Sequence, residues 1–197
     1  MTTDHLEVER KFDTDPGFVM PDLSAVPGCA SVDGPVTHHL AATYYDTADQ
    51  LLAGSKITLR RRTGGTDAGW HLKLPAGKDT RRELHEPLGD DQVPSRLASL
   101  VADVTAGAPL GPIAVLETER AVRTLLTATG QTIAEVADDM VTARRTGSGQ
   151  PLIWREIEIE AGPAVTAAAF EAAAKLLASR GARPSASASK LARVLGG

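Results

Sequence analysis

Aromatic residues are scarce, 4% of 197 positions, and there is a single cysteine. A core made from this chain must therefore rest on Leu, Val, Ile and Ala, and Cys29 has no partner for an internal disulfide. Its place between Gly28 and Ala30 suits a small packed side chain. No stretch approaches the eighteen or more apolar residues of a membrane span. The opening MTTDHLEVERKF carries neither the apolar segment nor the cleavage site of a secretory signal, so a cytoplasmic location without membrane contact is expected. Positive charge is not in excess either: 21 Lys and Arg face 25 Asp and Glu, a net charge of −4. That balance gives no global attraction to nucleic acid, and any polyanion must be held by a local basic cluster. No P-loop, Rossmann fingerprint or serine nucleophile elbow is found. His38, His39, His71 and His85 show no metal-ligand spacing among themselves.

What is present is alternation. The length suits one domain, residues 1–197. Period-two patterns predict strands over Leu6–Phe12, Thr37–Tyr45, Lys56–Arg62, Trp70–Leu74, Arg81–Pro87, Ala114–Leu126, Thr132–Ala137, Met140–Thr146 and Leu152–Glu160. Turn chemistry separates them at Gly64-Gly65, Gly77, Pro109 to Pro112, Gly130 and Gly147-Ser148-Gly149. Helical spacing is expected over Asp91–Ala106 and from Pro163 to Gly181, with a short helix at Met20–Val26. The segment 190–195 reads as a last short strand. Tyr44-Tyr45-Asp46-Thr47 reads as structural, aromatics packed on neighbouring strands before a turn.

The alternating partners of the apolar residues are charged. Glu7, Glu9 and Lys11 share one face of LEVERKF, with Leu6, Val8 and Phe12 largely on the other. Arg60 and Arg62, Arg81 and Glu83, and Glu156, Glu158 and Glu160 repeat the pattern, while His71 and Lys73 are read as facing alternate ways. One charged face is an ordinary solvated surface. Several such strands predict a mainly β, α+β fold, a sheet closed around a polar lumen with helices packed outside. Carboxylates two apart on one face repel unless a cation lies nearby. Oxygen donors favour a hard ion such as Mg²⁺ or Mn²⁺, and facing Arg and Lys complement phosphate. A polyphosphate ligand follows.

These residues also resemble a known family. Glu7-x-Glu9-x-Lys11 is similar to the ExExK signature of CYTH proteins, the triphosphate tunnel metalloenzymes, which include class IV adenylate cyclases, thiamine triphosphatases and inorganic triphosphatases. Tyr44-Tyr45-Asp46-Thr47, Leu59-Arg60-Arg61-Arg62, Leu72-Lys73, Arg81-x-Glu83, Thr118-x-Arg120, Glu135-Val-Ala-Asp138, Glu156-x-Glu158 and Ser189-Lys190 follow in matching order across residues 5 to 195. The resemblance implies an eight-stranded antiparallel barrel, open at both ends, with Glu7, Glu9 and Lys11 as catalytic residues. It implies phosphate contacts from Lys11, Arg60, Arg62, Lys73, Arg81, Arg120 and Lys190. It further implies metal contacts from Glu7, Glu9, Asp138, Glu156 and Glu158, with Glu83 and Glu135 beside them. Glu160, toward a barrel mouth, is left out. Parity prefers Arg81 to Arg82, and the Thr-x-Arg match prefers Arg120 to Arg123.

The activity implied is metal-dependent hydrolysis of a triphosphate by a monomer or homodimer. The alternatives are cyclisation of ATP to cyclic AMP and a non-catalytic polyphosphate-binding module. Trp70 is assigned to the outer face and Trp154 to a barrel mouth, which leaves no paired indole platform for a base. Inorganic triphosphate is the favoured substrate.

Overall fold

The computed structural model describes residues 3–147 and 149–196, so Met1, Thr2, Gly197 and the Ser148 of the expected turn lie outside the description. Eight antiparallel strands close on themselves: β1 (Thr3–Thr14), β2 (Ser31–Asp46), β3 (Thr58–Thr63), β4 (Gly69–Pro75), β5 (Thr80–Pro87), β6 (Gly111–Leu126), β7 (Thr132–Arg145) and β8 (Leu152–Ala161). The order is β5-β4-β3-β2-β6-β7-β8-β1, and β1 closes the ring by pairing β5 through its first half and β8 through its second. A two-residue strand, β9 (Arg183–Pro184), pairs with the end of β1. The expected strands 132–137 and 140–146 are one continuous β7, because Asp138-Asp139 is a charged pair within a strand rather than a turn.

Closure sorts the side chains by parity. Outward residues make two apolar layers. One packs α4 (Ala167–Ser179) and a 3-10 turn (Leu23–Ala25) on β7 and β8, with Leu177, Phe170, Ile157 and Ile159 buried. The other packs α1 (Leu51–Gly54), α2 (Ser95–Leu100) and α3 (Ala102–Thr105) on β3 to β5, around Leu59, Trp70, Leu72 and Leu84. Trp70 is on the outer face as expected, its ring 5.0 Å from that of Tyr45. The Tyr-Tyr-Asp-Thr segment is structural in part: the buried Asp46 carboxylate accepts the Thr47, Leu52 and Ala53 amides at 2.7–2.9 Å and so starts α1.

Helix limits differ from expectation for local reasons. The first begins at Ser95, because Pro94 holds its predecessor out of the helical region. The second begins at Ala167, where Thr166 caps the Ala169 amide at 3.1 Å, leaving Pro163 in the preceding turn. β3 starts at Thr58 because Lys56 has a left-handed backbone, φ 59°. The segment 190–195 is a helix, α5 (Lys190–Leu195), not a strand. Ser189 caps it through the Ala192 amide at 3.0 Å, and Leu191, Val194 and Leu195 follow the i, i+3, i+4 spacing of a helix face.

That helix alters the expected barrel. Leu191 and Val194 bury against the inward residues Ala42, Tyr44, Ala114, Leu116, Val141 and Ala143, so one end of the lumen is filled by an apolar plug instead of being open along the axis. Among the described residues no helix is long and apolar enough to cross a membrane.

The layers make unequal demands on size. Leu177→Ala, at a fully buried site, is expected to lower unfolding free energy in urea by about 2–5 kcal/mol. Ile153→Ala, 66% exposed on the uncovered outer wall, should change it by no more than about 0.5 kcal/mol. Similar losses at both positions would contradict this division of the sheet.

Candidate active site in the barrel lumen

The inward faces of β1, β2, β3, β4, β5, β6 and β8, with the N-terminus of α5, enclose a chamber of about 70 Å³. Seven basic groups line it, Lys11, Arg60, Arg62, Lys73, Arg81, Arg120 and Lys190, with six acidic ones, Glu7, Glu9, Asp67, Glu83, Glu158 and Glu160. The chamber opens to a mouth cavity of about 580 Å³ and, past Glu9, Lys11 and Arg81, to a lateral cavity of about 900 Å³ beside the β4–β5 hairpin and α4.

Register sets these neighbours. Lys11 lies opposite Glu158 on β8, Glu9 opposite Glu160, and Glu7 opposite Arg81 on β5. Lys11 Nζ donates to Glu9 Oε2 and to Glu158 Oε1, each at 2.7 Å. Lys190 Nζ lies 2.9 Å from Glu158, 2.8 Å from Asp139 and 2.6 Å from Glu156. Arg120 forks onto Asp139 at 2.8 and 2.6 Å and reaches Glu158 at 2.5 Å. Burial alone would push the Glu158 carboxyl up; Lys11, Lys190 and Arg120 outweigh it and hold the group well below the usual range. The same network, led by Asp139 against the effect of burial, raises Lys190 well above its ordinary value.

On the opposite wall the balance is positive. Arg60 donates to the Tyr44 hydroxyl at 3.3 Å, and Arg62 pairs with Asp67. The Nε atoms of both are buried and lack a hydrogen-bond partner among the described residues. Burial, with Arg60 and Arg120 alongside, pushes Arg62 down to about 9. An arriving anion relieves that cost. Arg61 faces outward toward Asp91 at 3.2 Å, as parity predicts.

The structure brings most of the expected set together. Arg81 lines the chamber 3.6 Å from Glu9, whereas Arg82 pairs with Asp4 on the outside. Lys73 donates to Glu7. Glu83 Oε1 lies 2.8 Å from His71 Nδ1, so His71 and Lys73, two apart, share the lumen face instead of alternating.

Asp138 requires correction. It points out and forks with Arg155 at 2.8 Å, and the inward carboxylate is Asp139, one residue on. The family match ended on the wrong member of an Asp-Asp pair, and the parity of β7 opposite Arg120 and Glu156 distinguishes them. Glu156 is inward but held at the plug end by Lys190 and by Trp154 Nε1 at 2.5 Å. Glu135 is exposed at the mouth. Glu160, omitted from the sequence reading, lines the chamber with Glu7, and its i+2 spacing from Glu158 was the available signal.

The donor chemistry fits a hard divalent ion better on one side than the other. Asp139, Glu156 and Glu158 lie within 4.8 Å of one another, but the Lys190 ammonium already sits among them. Glu7, Glu9, Glu158 and Glu160 also line the chamber, with Lys11 bridging Glu9 and Glu158 and Lys73 on Glu7, while Glu160 makes no ion pair among the described residues.

Glu160 gives this crowding a measurable sign. The surrounding protein, then the Glu7 charge, raise it from 4.5 to about 7 although the residue borders solvent. A raised carboxyl stabilises the fold fully below its unfolded value and loses that contribution as pH rises through about 7. Metal-free Glu160→Gln should therefore melt above the unsubstituted protein at pH 8, with the gap closing toward pH 4. A gap that widens on acidification would refute the assignment.

The fold and this constellation have counterparts. A family model described as the CYTH domain matches residues 5–195. The Mycobacterium tuberculosis proteins MT2285 and Rv2226, from two strains, are 42% identical over 208 residues, which cover 98% of this chain and 40% of theirs. The chain thus spans well under half the length of these curated relatives. A Bacillus halodurans protein described as a candidate adenylate cyclase superposes with a TM-score of 0.64 at 20% identity, covering 96% of this chain and 97% of its own. HpAC1 of Hippeastrum, described as having a dominant triphosphatase activity, gives 0.54 at 19% identity over 97% and 95%. These structural likenesses concern the fold. Matched by the family model along nearly its whole length and closed into the same barrel, the chain belongs to the CYTH domain family.

Proposed function

We propose that the lumen hydrolyses a triphosphate, inorganic triphosphate first among them, to pyrophosphate and phosphate with Mg²⁺ or Mn²⁺. The observation that carries this reading is the basic wall of the carboxylate-lined chamber, where Arg60 and Arg62, unlike the outward Arg61, line the cavity with Arg120. Arginine matches phosphate oxygens in charge and shape.

Charge balance argues for a metal. Seven bases and six acids leave the chamber formally at +1. A triphosphate brings about four negative charges near neutrality. One or two divalent ions on Glu7, Glu9, Glu158 and Glu160 would restore the balance, polarise the phosphate oxygens and supply a more acidic water.

The side chains supply the remainder. The chamber is too small for a triphosphate while Lys73 rests on Glu7 and Lys11 on Glu9 and Glu158. Binding exchanges these internal pairs, so that the ammonium groups turn to phosphate and the carboxylates to the cation. Arg60, Arg62 and Arg120 then grip successive phosphates and stabilise charge developing on the pyrophosphate leaving group. Lys190 holds Glu158 and Asp139 in place from the plug. The reading follows the family and the triphosphatase activity described for HpAC1.

Inorganic triphosphate is favoured because neither indole is free to stack a base. Trp70 is 1% exposed in the outer core, and Trp154 packs at the plug under Arg193, 5.2 Å from its ring. The cyclase reading keeps one observation, the lateral cavity of about 900 Å³ with room for an organic group.

Phosphate release from triphosphate, thiamine triphosphate and ATP, with nucleotide products analysed, separates these readings. The highest kcat/KM is expected for inorganic triphosphate, and activity should vanish with chelator. Glu7→Gln and Glu9→Gln should lose turnover while remaining folded; unchanged kinetics in the folded double variant would remove the metal assignment. Arg60→Ala and Arg62→Ala should each lower kcat/KM by at least about a hundredfold, the scale of losing one oriented donor to transition-state charge. Arg61→Ala should do far less, and comparable losses at all three would show the wrong face has been chosen. Cyclic AMP as the main product from ATP would put the cyclase first.

A further inference from the structure

One carboxylate at the chamber belongs to no strand. Asp67 lies in the turn between β3 and β4 and borders both the chamber and the mouth cavity. Its carboxylate pairs with Arg62, and among the described residues no other carboxylate is within ion-pair range of that guanidinium. The partners differ in exposure, the Arg62 side chain being 6% exposed and that of Asp67 56%. Burial, with Arg60 and Arg120 nearby, works against the Arg62 charge, so the empty lumen needs an anion at this point. The turn that carries Asp67 is held by its backbone. A Cβ at Gly64, φ 79°, would collide with the His39 carbonyl, so the near end of the turn lies flush on β2. At the far end the Asp67 carbonyl is 2.9 Å from His71 Nε2. With both ends fixed, the carboxylate swings about its own side-chain torsions, from Arg62 toward the solvent it already borders.

We propose that Asp67 is an internal counter-anion: it occupies Arg62 while the lumen is empty, yields it to an entering phosphate, and so lowers the affinity of the basic wall for anions. Its surroundings distinguish it from the other carboxylates. Glu7, Glu9 and Glu158 hold lysines in the empty chamber and, on the proposed reading, pass to the cation when a phosphate enters. Asp67 needs no cation, since more than half of its side chain is already in water. A phosphate offers Arg62 the same charge-assisted hydrogen bonds from more than one oxygen. The two anions compete for one donor, and the net gain on binding is smaller than an unpaired buried Arg62 would give. The same competition favours product release, because Asp67 retakes Arg62 as pyrophosphate departs. The inference rests on the proposed reading for the place where the anion binds.

The test measures the affinity of the full chain, by calorimetry in Mg²⁺, for a tripolyphosphate analogue with bridging nitrogens in place of its anhydride oxygens. The unsubstituted protein is compared with Asp67→Asn, Asp67→Ala, Arg62→Gln and the Asp67→Asn, Arg62→Gln double variant, with KM and kcat for tripolyphosphate measured alongside. Asp67→Asn and Asp67→Ala are each expected to bind about fivefold more tightly, the upper end for an ion pair with an exposed partner. Both should melt below the unsubstituted protein when empty, because Arg62 is left buried and unpaired. KM should fall without a rise in kcat. In the Arg62→Gln background the Asp67→Asn change should be worth less than about twofold, the scatter expected of independent sites. Unchanged or weaker binding in folded Asp67→Asn or Asp67→Ala overturns the proposal, and so does an equal gain in the absence of Arg62. Tighter binding with no phosphate release by any variant sinks the hydrolytic reading alone; no binding by any variant sinks both.

Discussion

Everything inside this barrel depends on compensating charge that has been removed from water. Glu158 is the centre of that constraint, contacted by Lys11 from β1, Lys190 from α5 and Arg120 from β6. A lone buried carboxylate would be protonated or would destabilise the fold by several kcal/mol. Three cationic donors keep it ionised, and in doing so they tie the plug helix, the first strand and the opposite wall to one point. The same donors are the groups a phosphate would recruit. Structure and proposed chemistry therefore draw on one set of interactions, and on the proposed reading an anion enters together with a cation that takes over the carboxylates.

The barrel supplies the geometry for this exchange. Parity puts apolar residues outside, where α1 to α4 cover two sectors, and charged ones inside, where the register fixes Lys11 against Glu158 and Glu9 against Glu160. At the plug end the inward face turns apolar, with Ala42, Leu116, Val141 and Ala143 meeting Leu191 and Val194. The lumen is thus graded from an apolar floor, through a charged chamber, to a histidine-bearing mouth. The mouth and the lateral cavity adjoin the chamber through shared lining residues.

Much of this was legible from period-two alternation, because a strand with Glu7, Glu9 and Lys11 on one face must turn that face to something polar. The family resemblance supplied the closed barrel of eight antiparallel strands. What escaped notice had specific causes. Asp138 and Asp139 are adjacent, and no pattern in Asp-Asp states which one faces in until β7 is registered on β6 and β8. Lys190 to Leu195 offers six residues, too few for a period to be secure, and only Ser189 as a cap distinguished helix from strand. Glu160 was discounted as a mouth residue although it shares the parity of Glu158.

The claim on which the account turns is that a triphosphate and a divalent ion occupy the chamber together by dividing its internal ion pairs. Crystals soaked with Mn²⁺ and tripolyphosphate under conditions that block turnover, read at the manganese absorption edge, test it most directly. The account predicts manganese against Glu7, Glu9 and Glu158, with phosphate on Arg60, Arg62 and Arg120 and the Lys73–Glu7 contact broken. Phosphate confined to the lateral cavity, with those pairs intact and no manganese in the chamber, would contradict it.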